Sequence, residues 1–356
     1  MDKIVENTKE NTVLLSIRGA TVCDNTAKSI QSSTEQLYKA IIEANNLNDK
    51  NVNVTAVFVS MTKDLTASFA AAGLRGLCDC AIFSSSEPEI EKSLPFCIRL
   101  LVQVNVAKGT KAQHIYQGGA KTLRPDISKF VIALDGPSGS GKSSLARLVS
   151  QNLGIMHLDS GALFRSVAVK LIECGFYKDK LLVDDERLTS VLQATNIVTK
   201  CKDGLQRIFL DDKDISSIIR QHEVSKATSD IAINTAIREY VKTVQYKMAC
   251  TQSLIVDGRD IGTVVFPNTE FKFFVVASIQ ERAIRRQREL KRKGHDIDLN
   301  SLISDIQKRD FNDSNREVAP LKQARDAILI DTTSKKLEQS SFEVLQHIYS
   351  TKHNSV

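Results

Sequence analysis

At 356 residues the chain is long for one hydrophobic core, so two domains are expected. Its 42% hydrophobic and 25% charged residues exclude a disordered or fibrous chain. The net charge of +6 is uneven, with 14 Lys and Arg against 13 Asp and Glu up to residue 126 and 34 against 29 beyond it. The start MDKIVENTKENTV offers neither a signal peptide nor a membrane span. Seven cysteines, scattered from Cys23 to Cys250, make no disulfide framework. Cys78 and Cys80 have no second pair to complete a zinc site, so buried thiols in a reducing cytoplasm are expected.

In chain order, Val13-Leu-Leu-Ser-Ile-Arg-Gly19 reads as a strand, and Asn25 to Asn45 as a helix capped by Asn25 or Thr26. Val52 to Ser60 is a strand, Asp64 to Leu77 a helix, Ala81 to Ile90 a loop, and Ile98 to Val106 a long strand with Tyr116 just beyond. These elements make one α+β domain. Around Arg124-Pro-Asp-Ile-Ser-Lys129 the pattern breaks into a linker, which sets the expected domains at 1–127 and 128–356. The second half opens with strand, glycine loop and helix. Leu254-Ile-Val-Asp257 and Phe271 to Val276 are short runs of the buried parallel kind. Ahead of them, Lys200 to Asp212 reads as an inserted hairpin turning at Asp203-Gly204. The second domain is therefore α/β with a parallel sheet.

Gly136-Pro-Ser-Gly-Ser-Gly-Lys-Ser143 follows a strand and opens a helix, the context in which G-x-x-x-x-G-K-[ST] is a phosphate loop. Gly136, Pro137, Ser138, Gly139, Ser140 and Gly141 let backbone N–H groups face phosphate oxygens. Lys142 should reach the β- and γ-phosphates, and Ser143 should help hold Mg2+. ATP and Mg2+ are the expected cofactors of this half. The basic run Glu281-Arg-Ala-Ile-Arg-Arg-Gln-Arg-Glu-Leu-Lys-Arg-Lys293 has no interleaved aromatic and is broken by acids. A helix handling small phosphates, or a solvated face, fits it better than a nucleic-acid stripe.

Leu158-Asp-Ser-Gly-Ala-Leu-Phe-Arg165, Ile255-Val-Asp-Gly-Arg-Asp-Ile-Gly-Thr-Val-Val-Phe-Pro267, Lys308 to Arg316 and Glu281 to Arg286 resemble signatures of the bacterial cytidylate kinases. The resemblance runs from about Lys129 to Tyr349 and implies a P-loop fold with a nucleotide-binding insertion and a lid. It implies that Arg165, Arg259 and Arg316 grip the phosphate of CMP or dCMP. Ser229, Arg238 and Asp260 would face the cytosine, and Arg309 and Asp313 the sugar. Ser160 and Asp257 would also bind CMP, and Arg282, Arg285 and Arg286 would belong to the lid. Phe164 stands where the family commonly has tyrosine. Shikimate is the rival acceptor.

Ser16-Ile-Arg-Gly-Ala-Thr21, Cys97-Ile-Arg-Leu100, His114-Ile-Tyr116 and Leu123-Arg-Pro-Asp126 resemble the small trimeric α+β chorismate mutases. That resemblance covers about residues 13–126 and implies a homotrimer that needs no cofactor. It implies Arg99 as the cation at the breaking ether oxygen and Glu87 as acceptor from the ring hydroxyl, with Glu89 the competing choice. Arg18, Phe69, Arg75, Ser84, Tyr116 and Leu123 would bind chorismate. Arg18 and Arg99 sit within apolar strands, where an unpaired guanidinium is costly and requires an anionic partner. Two activities on one chain, chorismate to prephenate and ATP-dependent phosphorylation of CMP or dCMP, are expected. The alternative first domain is an inactive trimeric binding or assembly module. Small-molecule substrates, with no nucleic acid and no membrane, complete this reading.

Overall fold

The computed structural model describes residues 12–47, 53–91, 93–177, 185–202, 205–292, 294–295 and 297–351. The chain divides into two compact units, residues 1–128 with 346–356, and residues 129–345. The expected boundary near 127 thus falls at Ser128, while the C-terminal residues expected in the second domain group with the first. Among the described residues no helix is long and apolar enough to cross a membrane.

In the first unit, strands β1 (Thr12–Val22), β2 (Asn53–Met61), β3 (Ala81–Ser86), β4 (Cys97–Ala107) and β5 (Ile115–Tyr116) form one sheet in the order β3-β2-β4-β1-β5. Helix α1 (Ala27–Ala44) starts at Thr26, whose side chain accepts from the Ser29 N–H. Its stripe Ile30, Leu37 and Ile41 packs in one core with Ile17, Val57, Val59, Ile98, Leu100, Val102 and Val104. Alternation then fixes the other face of the sheet: Arg99, Leu101 and Gln103 point away from α1.

Two expectations fail here. Asp64 to Leu77 forms only a 3-10 helix, Ala70–Leu74. The Asp64 carboxylate accepts from the Phe96 N–H and from Thr62 Oγ1, so it ties two loops instead of capping a helix. Gly73 lies so close to α1 that a Cβ there would collide with the Gln31 carbonyl. The second failure is Ala81 to Ile90, expected as a loop, whose first six residues are strand β3, parallel to β2 at the sheet edge. Its serines hide the alternation because most of the strand is exposed.

The second unit carries the five-stranded sheet β13-β12-β6-β11-β7, every pair parallel. Its strands are β6 (Val131–Asp135), β7 (Met156–Asp159), β11 (Leu254–Asp257), β12 (Phe271–Val276) and β13 (Ile328–Asp331). Helices α2 (Lys142–Leu153), α3 (Ser160–Glu173), α4 (Asp185–Ala194), α5 (His222–Ile231) and α6 (Thr235–Thr251) intervene before β11. Helices α7 (Ile279–Arg292) and α8 (Leu299–Asn315) follow later, and α9 (Leu337–Ser350) begins in this unit, its last residues, from 346 on, grouping with the first. The inserted hairpin is present as β8 (Ile197–Lys202) and β9 (Leu205–Leu210), antiparallel, with short β10 (Lys213–Asp214) beside β9. Its expected Asp203-Gly204 turn lies outside the described residues. Parallel strands place their C-terminal ends together, and the loops after β6, β7 and β11 build the site there.

Candidate active sites

In the first unit, strand register assembles a row of side chains on the face away from α1. Ser85 pairs with Ser60, Ser60 with Arg99, Arg99 with Ala20, and Ala20 with Tyr116. Glu87, two residues beyond Ser85, joins the row, its N–H bonded to the Met61 carbonyl at 2.9 Å. The Arg99 guanidinium pairs with the Glu87 carboxylate, and Ser60 Oγ donates to the other Glu87 oxygen at 2.6 Å. Of the two competing carboxylates, Glu87 meets Arg99 while Glu89 stays exposed. Burial holds the Arg99 guanidinium below its ordinary value, and nearby Tyr116 partly offsets this.

Tyr116 is buried with Ala20, Val22, Cys97 and Ala120, and Leu123 packs on that cluster. The side chains of Arg18, Phe69, Arg75 and Ser84 are exposed. The expected buried guanidinium at Arg18 is therefore incorrect: buried Ile17 and Gly19 flank it, and alternation turns Arg18 outward. Register also sets Ser84 beside Val59, the helix-covered side, so its side chain does not share Arg99's face. Two groups at this site have no role in the sequence reading. Ser60 carries no signal beyond its place on a strand. His114 accepts from the Arg18 N–H at 3.1 Å, and burial, then Arg18 and Arg124, hold its ring below the ordinary histidine value.

In the second unit, the loop after β6 takes its shape from glycine. Gly136 has φ +144° and lies where a Cβ would collide with the Val275 carbonyl oxygen; Gly141, at φ +87°, is the residue from which α2 starts. Lys142 folds back on the loop, donating to Pro137 O at 2.6 Å and Ser140 Oγ at 3.3 Å. Enclosure, then the charge of Arg259, pushes its ammonium well below the ordinary lysine value. Ser143 Oγ donates to Asp257 at 2.6 Å.

Beside the loop, cations crowd together. Arg238 and Arg316 both reach Asp260, the latter at 3.4 Å, and Arg259 pairs with Asp313 at 2.8 Å. Arg165 lies 3.8 Å from Asp159. Enclosure, then Arg259, with Arg165 and Arg286 also contributing, holds Arg309 below its ordinary value. Arg238 lies over the Phe164 ring at 5.6 Å, so phenylalanine preserves that packing. Ser160 is buried, while Ser229 is exposed and bonds only weakly, to Ser225 O at 3.4 Å.

The three expected lid arginines part company. Arg282 is 4% exposed and donates to Ala277 O and Ser138 O while pairing with Asp310 at 2.7 Å, so it braces the loop instead of lying free above it. Arg285 is engaged by Glu281 and Thr332. Arg286 pairs with Glu289 at the surface. A separate cleft of about 560 Å³ between α4 and α6, lined by Leu192, Tyr240, Val244 and Met248, contains none of the expected residues.

A loop shaped for phosphate oxygens, next to a cluster of arginines held by carboxylates of the same unit, defines a P-loop enzyme. The chain belongs to the cytidylate kinase family, whose model matches residues 132–351. Residues 14–127 match the family model of chorismate mutase type I, so the chain joins two enzyme domains and is bifunctional. The cytidylate kinase of Caldicellulosiruptor bescii is 42% identical over 230 residues, covering 65% of this chain and all of that protein. The cytidylate kinase of Caldicellulosiruptor saccharolyticus is 39% identical over the same length, with the same coverage. A solved chorismate mutase from Clostridium thermocellum is 36% identical, covering 30% of this chain and 97% of that one, with a TM-score of 0.28.

Proposed function

We propose that the first unit converts chorismate to prephenate and that the second transfers the γ-phosphoryl group of ATP to CMP or dCMP. The kinase reading is carried by the convergence of Arg165, Arg259, Arg309 and Arg316 beside the loop. Asp159, Asp313 and Asp260 hold Arg165, Arg259 and Arg316 in place, and several guanidinium groups gathered at a phosphate loop suit a second phosphate. Lys142 leaves Pro137 O and Ser140 for the transferring phosphate, and the arginines hold the acceptor phosphate in line with it. Asp260 and Arg238 offer an acceptor and donors to the cytosine edge. A buried polar site of this kind rejects an analogue that leaves its groups unpaired.

Ser143 Oγ and an Asp257 oxygen lie side by side, hard oxygen donors that fit magnesium. Among the described residues no three His, Cys, Asp or Glu side chains gather as a metal cage. Sharing one or two protein oxygens with substrate phosphates and water is the ordinary arrangement for this ion. When bound, it would neutralise phosphate charge.

The mutase reading is carried by Arg99. The rearrangement builds negative charge on the ether oxygen, and a preorganised cation lowers its barrier. Substrate would part the Arg99–Glu87 pair, leaving Arg99 at the ether oxygen and Glu87, held by Ser60, to accept from the ring hydroxyl. Tyr116 and Leu123 wall the same end. We further propose a homotrimer built on the open sheet face. There Phe83, Phe58, Leu101 and Arg18 form a second row in register, and Leu14, Phe58 and Phe83 are 56%, 41% and 61% exposed.

One paired assay tests both activities: chorismate loss, and ADP formation with CMP, dCMP, AMP, GMP or shikimate. CMP and dCMP should far exceed the others, and comparable turnover of shikimate would overturn the acceptor assignment. A folded protein that leaves chorismate untouched would make the first unit a binding module.

A further inference from the structure

His157 belongs to none of the segments that point to nucleotide chemistry, yet it touches the centre of them. It stands on β7, paired in register with Ile255 of β11, two residues before Asp257. Its Nε2 lies 2.6 Å from Asp257 Oδ1, and Asp257 Oδ2 accepts from Ser143 Oγ at 2.6 Å. The pair is enclosed, with side-chain exposures of 10% for His157 and 6% for Asp257. The two Asp257 oxygens are thus divided between Ser143 and His157, and an imidazole with its proton on Nε2 donates to the oxygen it meets. Asp159, further along β7, pairs in register with Asp257 itself.

We propose that His157 is a positioning residue: by donating to one Asp257 oxygen it fixes the carboxylate so that the other meets Ser143 where magnesium–nucleotide binds. This rests on reading the second unit as a magnesium-dependent kinase. A buried carboxylate with one oxygen unpaired is free to turn, and the Ser143 hydroxyl then loses its aim. Supporting groups one layer behind a metal ligand typically govern ~10–100-fold in metal affinity or activity.

The test uses the full chain with Mn2+ as probe, bound metal being followed by electron paramagnetic resonance in the presence of ATP. His157→Phe keeps the ring and removes the donor. It should weaken Mn2+ binding about tenfold or more, while ATP binding in EDTA and chorismate turnover stay within twofold. His157→Gln, which keeps a donor nitrogen at similar reach, should recover most of the affinity. Unchanged Mn2+ binding in the Phe variant overturns the proposal. So does a Gln variant as weak as Phe, or a parallel loss of metal-free ATP binding, since either means a disturbed loop and no specific aim. Wild-type protein that holds no Mn2+–ATP would sink the kinase reading itself.

Discussion

The two sites treat their cations in opposite ways. In the second unit Arg238, Arg259, Arg282, Arg285 and Arg316 each find a carboxylate or carbonyl within the unit. In the first unit only Arg99 of the expected set is so held, while Arg18 and Arg75 stand exposed and Phe69 is 73% exposed. A chain that closes one site from its own residues and leaves the other as an open surface has one site complete alone. The other is the site that a second copy of the chain would cover in the homotrimer we propose. In that trimer the exposed Arg18, Arg75 and Phe69 would serve as interface anchors.

Removing the loop cation breaks the comparison on one side. Lys142→Ala should reduce CMP phosphorylation by ~10³-fold or more, since charge stabilisation at the transferring group is lost. Chorismate turnover should stay near wild type, measured on the same preparation. Equal loss of both activities with the fold retained would mean that the sites are not independent.

On the other side, Arg99→Ala should lower mutase kcat by ~10²–10³-fold, with a smaller change in chorismate binding. Arg99→Lys should rescue only in part, because an ammonium lacks the planar fork. Full kcat in a neutral citrulline replacement would leave conformer selection to explain the rate.

The sharpest separation comes from Phe58→Lys with Phe83→Lys. Like charges in register on the open face should dissociate the trimer and lower mutase activity by roughly tenfold or more, in line with the loss of a central interface anchor. Kinase activity should not follow. Sedimentation giving a monomer with full mutase activity would remove the shared-site model.

The smallest effect is on stability. Asp135 accepts from the Ile261 and Gly262 N–H groups, yet burial outweighs these bonds and pushes its carboxyl up to about 6. A raised carboxyl stabilises the fold below its unfolded value near 4 and loses that contribution as pH rises through about 6. Denaturant titrations between those limits should lose about 2 kcal/mol with rising pH. Asp135→Asn should flatten that slope, and an unaltered slope would assign it to other carboxyls.

Local patterns carried the second unit further than the first. The run before Gly136, the loop itself and the short apolar strands are contiguous signals, and the parallel sheet follows from them. Strand β4 was equally legible because Ile98, Leu100, Val102, Val104 and Val106 alternate with Arg99, Gln103 and Asn105, broken only at Leu101. Edge strand β3 was not, since an exposed serine-rich strand lacks the apolar face that marks the period. The inward Arg18 failed for a related reason: an apolar run gives a strand without saying which of its faces a neighbour covers. Contacts such as Ser60 with Glu87, Arg282 with Ser138, and His157 with Asp257 join residues far apart in the chain. No spacing rule reaches them.

Arg282 also decides what kind of lever α7 is. Its guanidinium bolts the first turn of that helix to the Ser138 carbonyl on one side and to Asp310 of α8 on the other. Arg285, on Thr332, fastens the next turn, while Arg286 and Glu289 beyond it pair at the exposed surface. Any tilt of α7 would therefore pull on the Ser138 carbonyl of the phosphate loop.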